Sequence, residues 1–205
     1  MKAEIHLKYD ALINNYFKPF FKNLEFNYKG NTFILYNNEI LKLLHFQKSY
    51  KSSVNEIIFT INIGIASFIL FKFFSYNIVK PKIEDCHWRQ RLGFFLPKKN
   101  DLWWKINGET NIILIFDELK NYFENYVNPE IKKYSNNIAL RDLWLSGKSP
   151  GLTDFQRLMN LLILIKYIGP NEIFNKIVDE LRSKYQNQDS SLIESHIKDL
   201  ITTDL

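Results

Sequence analysis

The apolar run from Ile57 to Phe71 constrains the fold of this chain more than any other stretch. In its first half, apolar side chains at positions 59, 61, 63 and 65 alternate with polar or small ones at positions 60, 62 and 64. Successive side chains of a strand point to opposite faces of a sheet, so the alternation predicts a strand, Val54 to Ala66, with one buried face. The continuation, Ser67 to Val79, fits either an extension of the sheet or a loop that covers it.

The same run is too polar to cross a membrane. Thr60, Asn62, Gly64 and Ser67 interrupt it and Lys72 ends it, whereas a spanning helix needs about 20 mostly apolar residues. We therefore expect no membrane-embedded segment.

Turn signals on either side of this run separate further strands. The predicted strands are Thr32–Tyr36, Ile40–Gln47, Val54–Ala66, Cys86–Phe95 and a short edge strand, Leu102–Ile106. Short connections between consecutive strands favour antiparallel pairing. The pattern therefore predicts an antiparallel meander of about four to five strands.

Helical periodicity flanks the strands on both sides. An N-terminal helix is expected over Ala3–Leu24, with Pro19 kinking or ending it near Lys18. The later helices are predicted at Asn111–Val127, Ile138–Leu145, Phe155–Ile168, Glu172–Tyr185 and Ser191–Ile201. Only the short connection Gly169-Pro170 lies between two of these helices, which predicts a helical hairpin.

Strands in a run followed by helices in a run define the α+β class. We predict a single domain over residues 1–205, with an α+β core (1–135) and a helical C-terminal extension (136–205).

Charge and cysteine content narrow the class of protein. The formal net charge is +5, but its source is mainly Lys interspersed with acidic residues, without the clustered basic stripe of a nucleic-acid-binding protein. The single cysteine, Cys86, cannot form an internal disulfide and fits a reducing compartment. No apolar run follows the first residues as in a signal peptide. These features predict a cytoplasmic protein and argue against a nucleic-acid partner.

The most unusual passage is Trp88-Arg89-Gln90-Arg91, followed by Trp103-Trp104. In a strand, Arg89 and Arg91 share one face and can hold a carboxylate or phosphate, while Trp88 lies on the other. Trp103 and Trp104 point to opposite faces, so we expect one in the core and one exposed, stacked on an arginine. The candidate ligand-binding residues are Arg89, Arg91, Trp88, Trp103 and Trp104. The structural alternative is that the arginines pair with acidic residues across the sheet.

Catalytic and metal-binding patterns are not recognisable. Cys86 and His87 are neighbours in a predicted strand and so face opposite sides, which argues against a thiol–imidazole pair. The four histidines are scattered and predict no metal site, and no glycine-rich phosphate loop is present. We predict no cofactor and no enzymatic activity.

Several segments together resemble a bacterial family known as domain of unknown function 4304. They are Phe17-Lys18-Pro19-Phe20, Gly30-Asn31-Thr32-Phe33, Ile57–Gly64, Trp88-Arg89-Gln90-Arg91-Leu92-Gly93 and Asp101-Leu102-Trp103-Trp104-Lys105-Ile106. The resemblance covers roughly residues 10–145 and implies a bacterial cytosolic protein of α+β type. It assigns no catalytic role to any residue.

Two functional hypotheses follow. The first is a non-catalytic binding or interaction protein, for example an immunity-like protein that masks a toxin, although a charge of +5 would repel a basic nuclease. The second is a domain that binds a small anionic ligand or a nucleic acid through Arg89, Arg91 and an exposed Trp. An unrecognised hydrolase is a more distant alternative, because no convergent acid–base set is visible.

Overall fold

One antiparallel sheet organises the chain in the computed structural model, which describes residues 4–76, 80–187 and 189–203. Its strands are β1 (Asn27–Lys29), β2 (Thr32–Tyr36), β3 (Ile40–Lys48), β4 (Ile57–Ser67), β5 (Trp88–Arg91) and β6 (Trp104–Ile106). The order β1-β2-β3-β4-β5 follows the chain, so the predicted meander is confirmed. Strand β6 pairs with β4 through Ile57–Phe59, while β5 pairs with β4 further along, at Asn62–Ile65.

The long strand β4 has the two-sided character that its alternation predicts. The side chains of Ile57, Phe59, Ile61, Ile63 and Ile65 belong to the main hydrophobic cluster and are all buried. We call this side of the sheet the packed face and the other side the second face. In the described part of the chain, no helix is long and apolar enough to cross a bilayer.

Two long helical stretches cover the packed face. The first consists of α1 (Glu4–Ala11), a π-helical turn (Leu12–Phe17) and α2 (Lys18–Lys22), and the second of α4 (Ile112–Tyr122), a π-helical turn (Phe123–Val127) and α5 (Asn128–Lys133). Aromatic rings join them, with Phe17 and Phe116 centroids 5.2 Å apart. Pro19 does not end the first stretch: the helical backbone continues from the π-helical turn through Pro19 to Lys22.

The remaining helices pack around one buried helix. They are α6 (Asn137–Leu145), α7 (Asp154–Ile168), α8 (Phe174–Tyr185) and α9 (Ser190–Thr202). A capping box between Thr153 and Gln156 starts α7, and α7 contacts α6, α8 and α9. Leu161 and Leu164 of α7 lie in the same hydrophobic cluster as the packed face of the sheet.

Strand β1 is not among the predicted strands, and two further segments differ from the sequence-based predictions. The residues after β4 form a short helix, α3 (Phe68–Phe73), because the Ser67 hydroxyl accepts the Leu70 N–H and caps it. Neither a strand extension nor a loop is present there, and residues 77–79 of the predicted segment lie outside the described residues. The strand predicted over Cys86–Phe95 is limited to β5, because a 3-10 turn (Leu92–Phe95) follows it.

Gly93 explains why the strand stops. A Cβ on this residue would lie 2.1 Å from the Asn100 carbonyl oxygen, so only glycine allows the returning loop to approach so closely. The tight turn brings the chain back to Asp101 and Trp103, next to β5. This return positions the candidate site.

Candidate functional site

Strand β5 presents its arginines as the sequence predicts. Arg89 lies opposite Gly64 and Arg91 opposite Asn62 in the β4–β5 pairing. Both side chains therefore project from the second face, while Trp88 and Gln90 project from the packed face. The backbone around the two arginines is extended, and the predicted pair of guanidinium groups on one face is present.

Arg91 is held by an acidic and an aromatic neighbour. Its Nη1 donates to the Asp101 carboxylate at 2.6 Å, and its guanidinium carbon lies 5.1 Å from the centroid of the Trp103 ring. The side chains of Arg91 and Asp101 remain 35% and 45% exposed. Nε and Nη2 of Arg91 have no acceptor among the described residues, so the guanidinium keeps donors for a further anion.

Arg89 differs from Arg91 because its guanidinium donates hydrogen bonds to backbone carbonyls. Its Nη1 donates to the Glu84 carbonyl at 3.1 Å and its Nη2 to the Gly151 carbonyl at 2.6 Å. The Arg89 N–H also donates to the Pro150 carbonyl at 2.9 Å. Gly151 has a φ of +81° and lies against Arg89, where a Cβ would approach the arginine Cβ to 2.7 Å. Arg89 therefore anchors the loop before α7 to the edge of the sheet.

The three candidate tryptophans separate into one at the site and two in the core. Trp103 stacks on Arg91, as predicted for the exposed member of the pair. Trp104 is 7% exposed, and its indole N–H donates to the Glu118 carboxylate at 3.0 Å. Trp88 is 2% exposed and lies on the packed face. In this structure, neither Trp88 nor Trp104 shares a surface with the arginines.

Two neighbouring cavities meet at Arg91. One, of about 500 Å³, is lined by Arg89, Arg91, Lys99 and Asp101 among others. The other, of about 390 Å³, is lined by Arg91, Trp103, Tyr50 and Lys51 among others. We call the surface formed by Lys51, Arg89, Arg91, Lys99 and Trp103 the Arg–Trp groove. Its four cations make it suited to an anionic ligand.

Sequence reasoning missed the lysines of this groove. Lys51 and Lys99 come from loops whose position depends on the tertiary fold, so no local pattern identifies them. Asn62 was detectable, because it is a polar residue in an apolar strand. On the second face its amide donates to the Gln47 side-chain oxygen at 2.8 Å, beside Arg91.

Cys86 and His87 have environments unlike those of a catalytic pair. Burial, with Asp85 nearby, raises the pKa of the Cys86 thiol, which keeps it protonated. Burial, with the Arg89 guanidinium nearby, lowers the pKa of His87 to about 3. His87 Nδ1 accepts the Ser67 N–H at 3.1 Å, which fixes the neutral ring. Within residues 4–76, 80–187 and 189–203, no three His, Cys, Asp or Glu side chains converge as metal ligands.

These features define an α+β protein with a basic groove at one end of an antiparallel sheet. The chain belongs to the family described as a domain of unknown function, DUF4304, whose model matches residues 17–133, more than half of the chain. The match confirms the resemblance and includes Arg89, Arg91 and Trp103, whereas Gly151 lies after it. Comparisons with curated proteins and with solved structures find no match.

Proposed function

We propose that this chain is a non-catalytic binding protein that holds an acidic segment of a protein partner in the Arg–Trp groove. The observation that supports this most is the position of Arg91. Its guanidinium is fixed between the Asp101 carboxylate and the Trp103 ring, and it borders cavities on both sides. Arginine and tryptophan are the residues that most often dominate the energetics of protein interfaces.

The Arg91–Asp101 pair favours exchange with a partner's carboxylate. An ion pair this exposed contributes only about 0–1 kcal/mol to stability. A partner carboxylate that engages Nε and Nη2 together gains the bidentate geometry that the monodentate Asp101 contact lacks. The ring of Trp103 adds apolar contact area beside the charge.

Charge selects the kind of partner. Four cations surround the groove, against the carboxylate of Asp101 within it, and the whole chain is basic at +5. This potential attracts an acidic surface and repels a basic one. An immunity-like role in a bacterial cytoplasm therefore agrees with this proposal only if the masked toxin presents an acidic contact surface.

A binding role also agrees with the inert chemistry next to the groove. The Cys86 thiol is buried and protonated, and the His87 ring is neutral and already bonded to the backbone. Neither group is available to act as a nucleophile or general base in this arrangement. We therefore extend the proposal to the absence of catalysis.

Fluorescence anisotropy with a labelled polyglutamate peptide tests the proposal. We expect saturable binding that Arg91→Gln weakens about tenfold, because one charge-assisted contact is lost. The matched control is Arg182→Gln. It also removes an exposed, ion-paired arginine, but this arginine pairs with Glu194 and does not line the Arg–Trp groove. Polylysine should not bind.

Two results would contradict the proposal. In one, polyglutamate binds no better than polylysine, or Arg91→Gln and Arg182→Gln weaken it equally. In the other, inorganic phosphate or a single-stranded oligonucleotide competes at concentrations below those of the peptide, which would favour a small-anion or nucleic-acid ligand.

A further inference from the structure

A third cavity borders the face of β5 opposite the arginine side chains. It has a volume of about 390 Å³, within the range of small-molecule pockets. We call it the Trp88 cavity, because Trp88 and Gln90 line it from the packed face of the strand. Its other walls come from the 3-10 turn after β5, from α5 and its preceding π-helical turn, and from α6 with the loop that follows.

Aromatic rings form most of the apolar wall. They belong to Trp88, Phe94, Phe95, Tyr126 and Tyr134. The Trp88 ring lies 5.8 Å from Phe95 and 5.7 Å from Tyr134, centroid to centroid. Flat walls of this kind favour a flat, aromatic occupant.

Trp88 itself carries an unpaired hydrogen-bond donor. Trp88 is 2% exposed, and its indole Nε1 is buried without a hydrogen-bond acceptor in the described part of the chain. A buried donor without an acceptor costs about 1–3 kcal/mol, so the indole N–H of Trp88 is sensitive to any change in its surroundings. Trp144 Nε1 is also without an acceptor among the described residues, but Trp144 does not line this cavity.

Two lysines give the rim its charge. Lys99 and Lys148 line the cavity, and neither forms an ion pair with a carboxylate of the described residues. Lys99 has a φ of +43°, and its N–H donates to the Leu96 carbonyl at 2.9 Å, so a tight turn fixes its position. The one carboxylate of the wall, Glu130, is already engaged by Lys133 at 2.6 Å and by the Tyr134 hydroxyl at 3.1 Å.

We infer that the Trp88 cavity binds a small planar anion, an aromatic ring that bears a phosphate or carboxylate group. The ring stacks among the aromatic walls, and the anionic group pairs with Lys99 and Lys148 at the rim. This function goes beyond partner binding in the Arg–Trp groove. The Trp88 cavity adjoins the 500 Å³ cavity beside Arg91 and shares Gln90, Phe94, Lys99 and Pro150 with it. Lys148 lines the Trp88 cavity and neither cavity of the Arg–Trp groove.

The indole N–H signals of a ¹H–¹⁵N NMR spectrum of the full chain test this inference. The chain has four tryptophans, so Trp88 and Trp103 report on the two sites separately, and single Trp→Phe variants assign them. The probes are adenosine 5′-monophosphate for an aromatic phosphate and indole-3-acetate for an aromatic carboxylate. Adenosine and inorganic phosphate provide the uncharged ring and the anion alone.

We expect at least one aromatic anion to shift the Trp88 signal saturably while the Trp144 signal stays in place. Lys148→Gln should weaken this binding about tenfold, since it removes a charge-assisted contact. The matched control, Lys98→Gln, changes an exposed lysine that does not line the cavity and should leave binding unchanged.

The inference is overturned if neither aromatic anion moves the Trp88 signal at millimolar concentration, or if Lys148→Gln binds like the wild type. It is also overturned if inorganic phosphate alone binds as tightly as both aromatic anions. A shift of Trp103 without Trp88 would place the ligand in the Arg–Trp groove and would likewise contradict it. The polyglutamate result is independent, because it depends on Arg91 and not on Lys148.

Discussion

The two faces of the sheet, built from the same strands, have opposite characters. On the packed face, β4 contributes five buried apolar side chains at alternate positions from Ile57 to Ile65, and helices cover them. On the second face, Leu41, Leu43 and Ala66 are covered by Phe71 and Cys86 in a small cluster at one end. The other end presents Arg91 beside two cavities, with the buried Asn62 next to it on β4. The comparison indicates that one face is built for packing, and that the open end of the other carries the charged groups of the proposed binding site.

The largest expected effect is on the packed face. Ile63 is fully buried in the main hydrophobic cluster, so Ile63→Ala leaves a cavity that neighbouring side chains fill only partly. We expect the free energy of unfolding to fall by about 3 kcal/mol in a urea titration. If Ile63→Ala lowers the free energy of unfolding by no more than the substitution of an exposed residue does, the packed face does not dominate stability.

The second-largest decrease in the free energy of unfolding is expected at the covered end of the second face. A Cβ on Gly64 would meet the Cys86 Sγ at 2.5 Å and the Ile83 Cδ1 at 2.8 Å. Gly64→Ala should therefore lower the free energy of unfolding by about 2 kcal/mol through overpacking. The control is Gly108→Ala, where the new Cβ meets no described atom within 4 Å and stability should stay nearly constant.

Lowering the pH should also destabilise this covered end of the second face. His87 Nδ1 accepts the Ser67 N–H, which requires a neutral ring, and burial lowers the pKa of His87 to about 3. The unfolded chain binds the proton more readily, so the free energy of unfolding decreases as the pH falls below about 6.5, by at most about 1.4 kcal/mol per pH unit.

Chemical denaturation between pH 7 and pH 5 measures this slope. His87→Gln should be less stable at pH 7 and should lose part of the pH dependence that the wild type shows. An unchanged slope in the variant would mean that His87 is protonated in the folded protein.

Removing Arg91 should affect stability least. Its ion pair with Asp101 is exposed, and Nη1 is the only guanidinium nitrogen that the described residues engage in a hydrogen bond. We expect Arg91→Gln to change the free energy of unfolding by less than about 0.5 kcal/mol, as measured by thermal and urea unfolding. A loss comparable to that of Ile63→Ala would make Arg91 a structural residue and would erase the contrast between the faces.

Much of the sheet was predictable because its signals are local. The alternation in β4 and the turn before Thr32 are patterns of period two and of turn residues, which the sequence displays directly. The helix α3 was missed, although Ser67 before an apolar run is a capping signal. The end of β5 was missed because it depends on the close approach of the Asn100 carbonyl to Gly93. That contact exists only in the folded loop and leaves no local sequence signal.

The site was predictable only in part, for the same reason. Strand geometry placed Arg89 and Arg91 on one face and separated Trp103 from Trp104. The anchoring of Arg89 by Gly151 joins residues 62 positions apart, and no local pattern reports such a contact. The orphaned indole of Trp88 likewise depends on what surrounds it in the fold.

The most direct test of partner binding is a titration of the full chain with polyglutamate peptide, followed through the indole N–H signals. The account predicts a saturable shift of the Trp103 signal, since this ring stacks on the arginine that receives the carboxylate. Trp104 and Trp144 should stay in place, and the shift should disappear in Arg91→Gln. A Trp103 signal that does not move, or that moves equally in Arg91→Gln, would contradict the account.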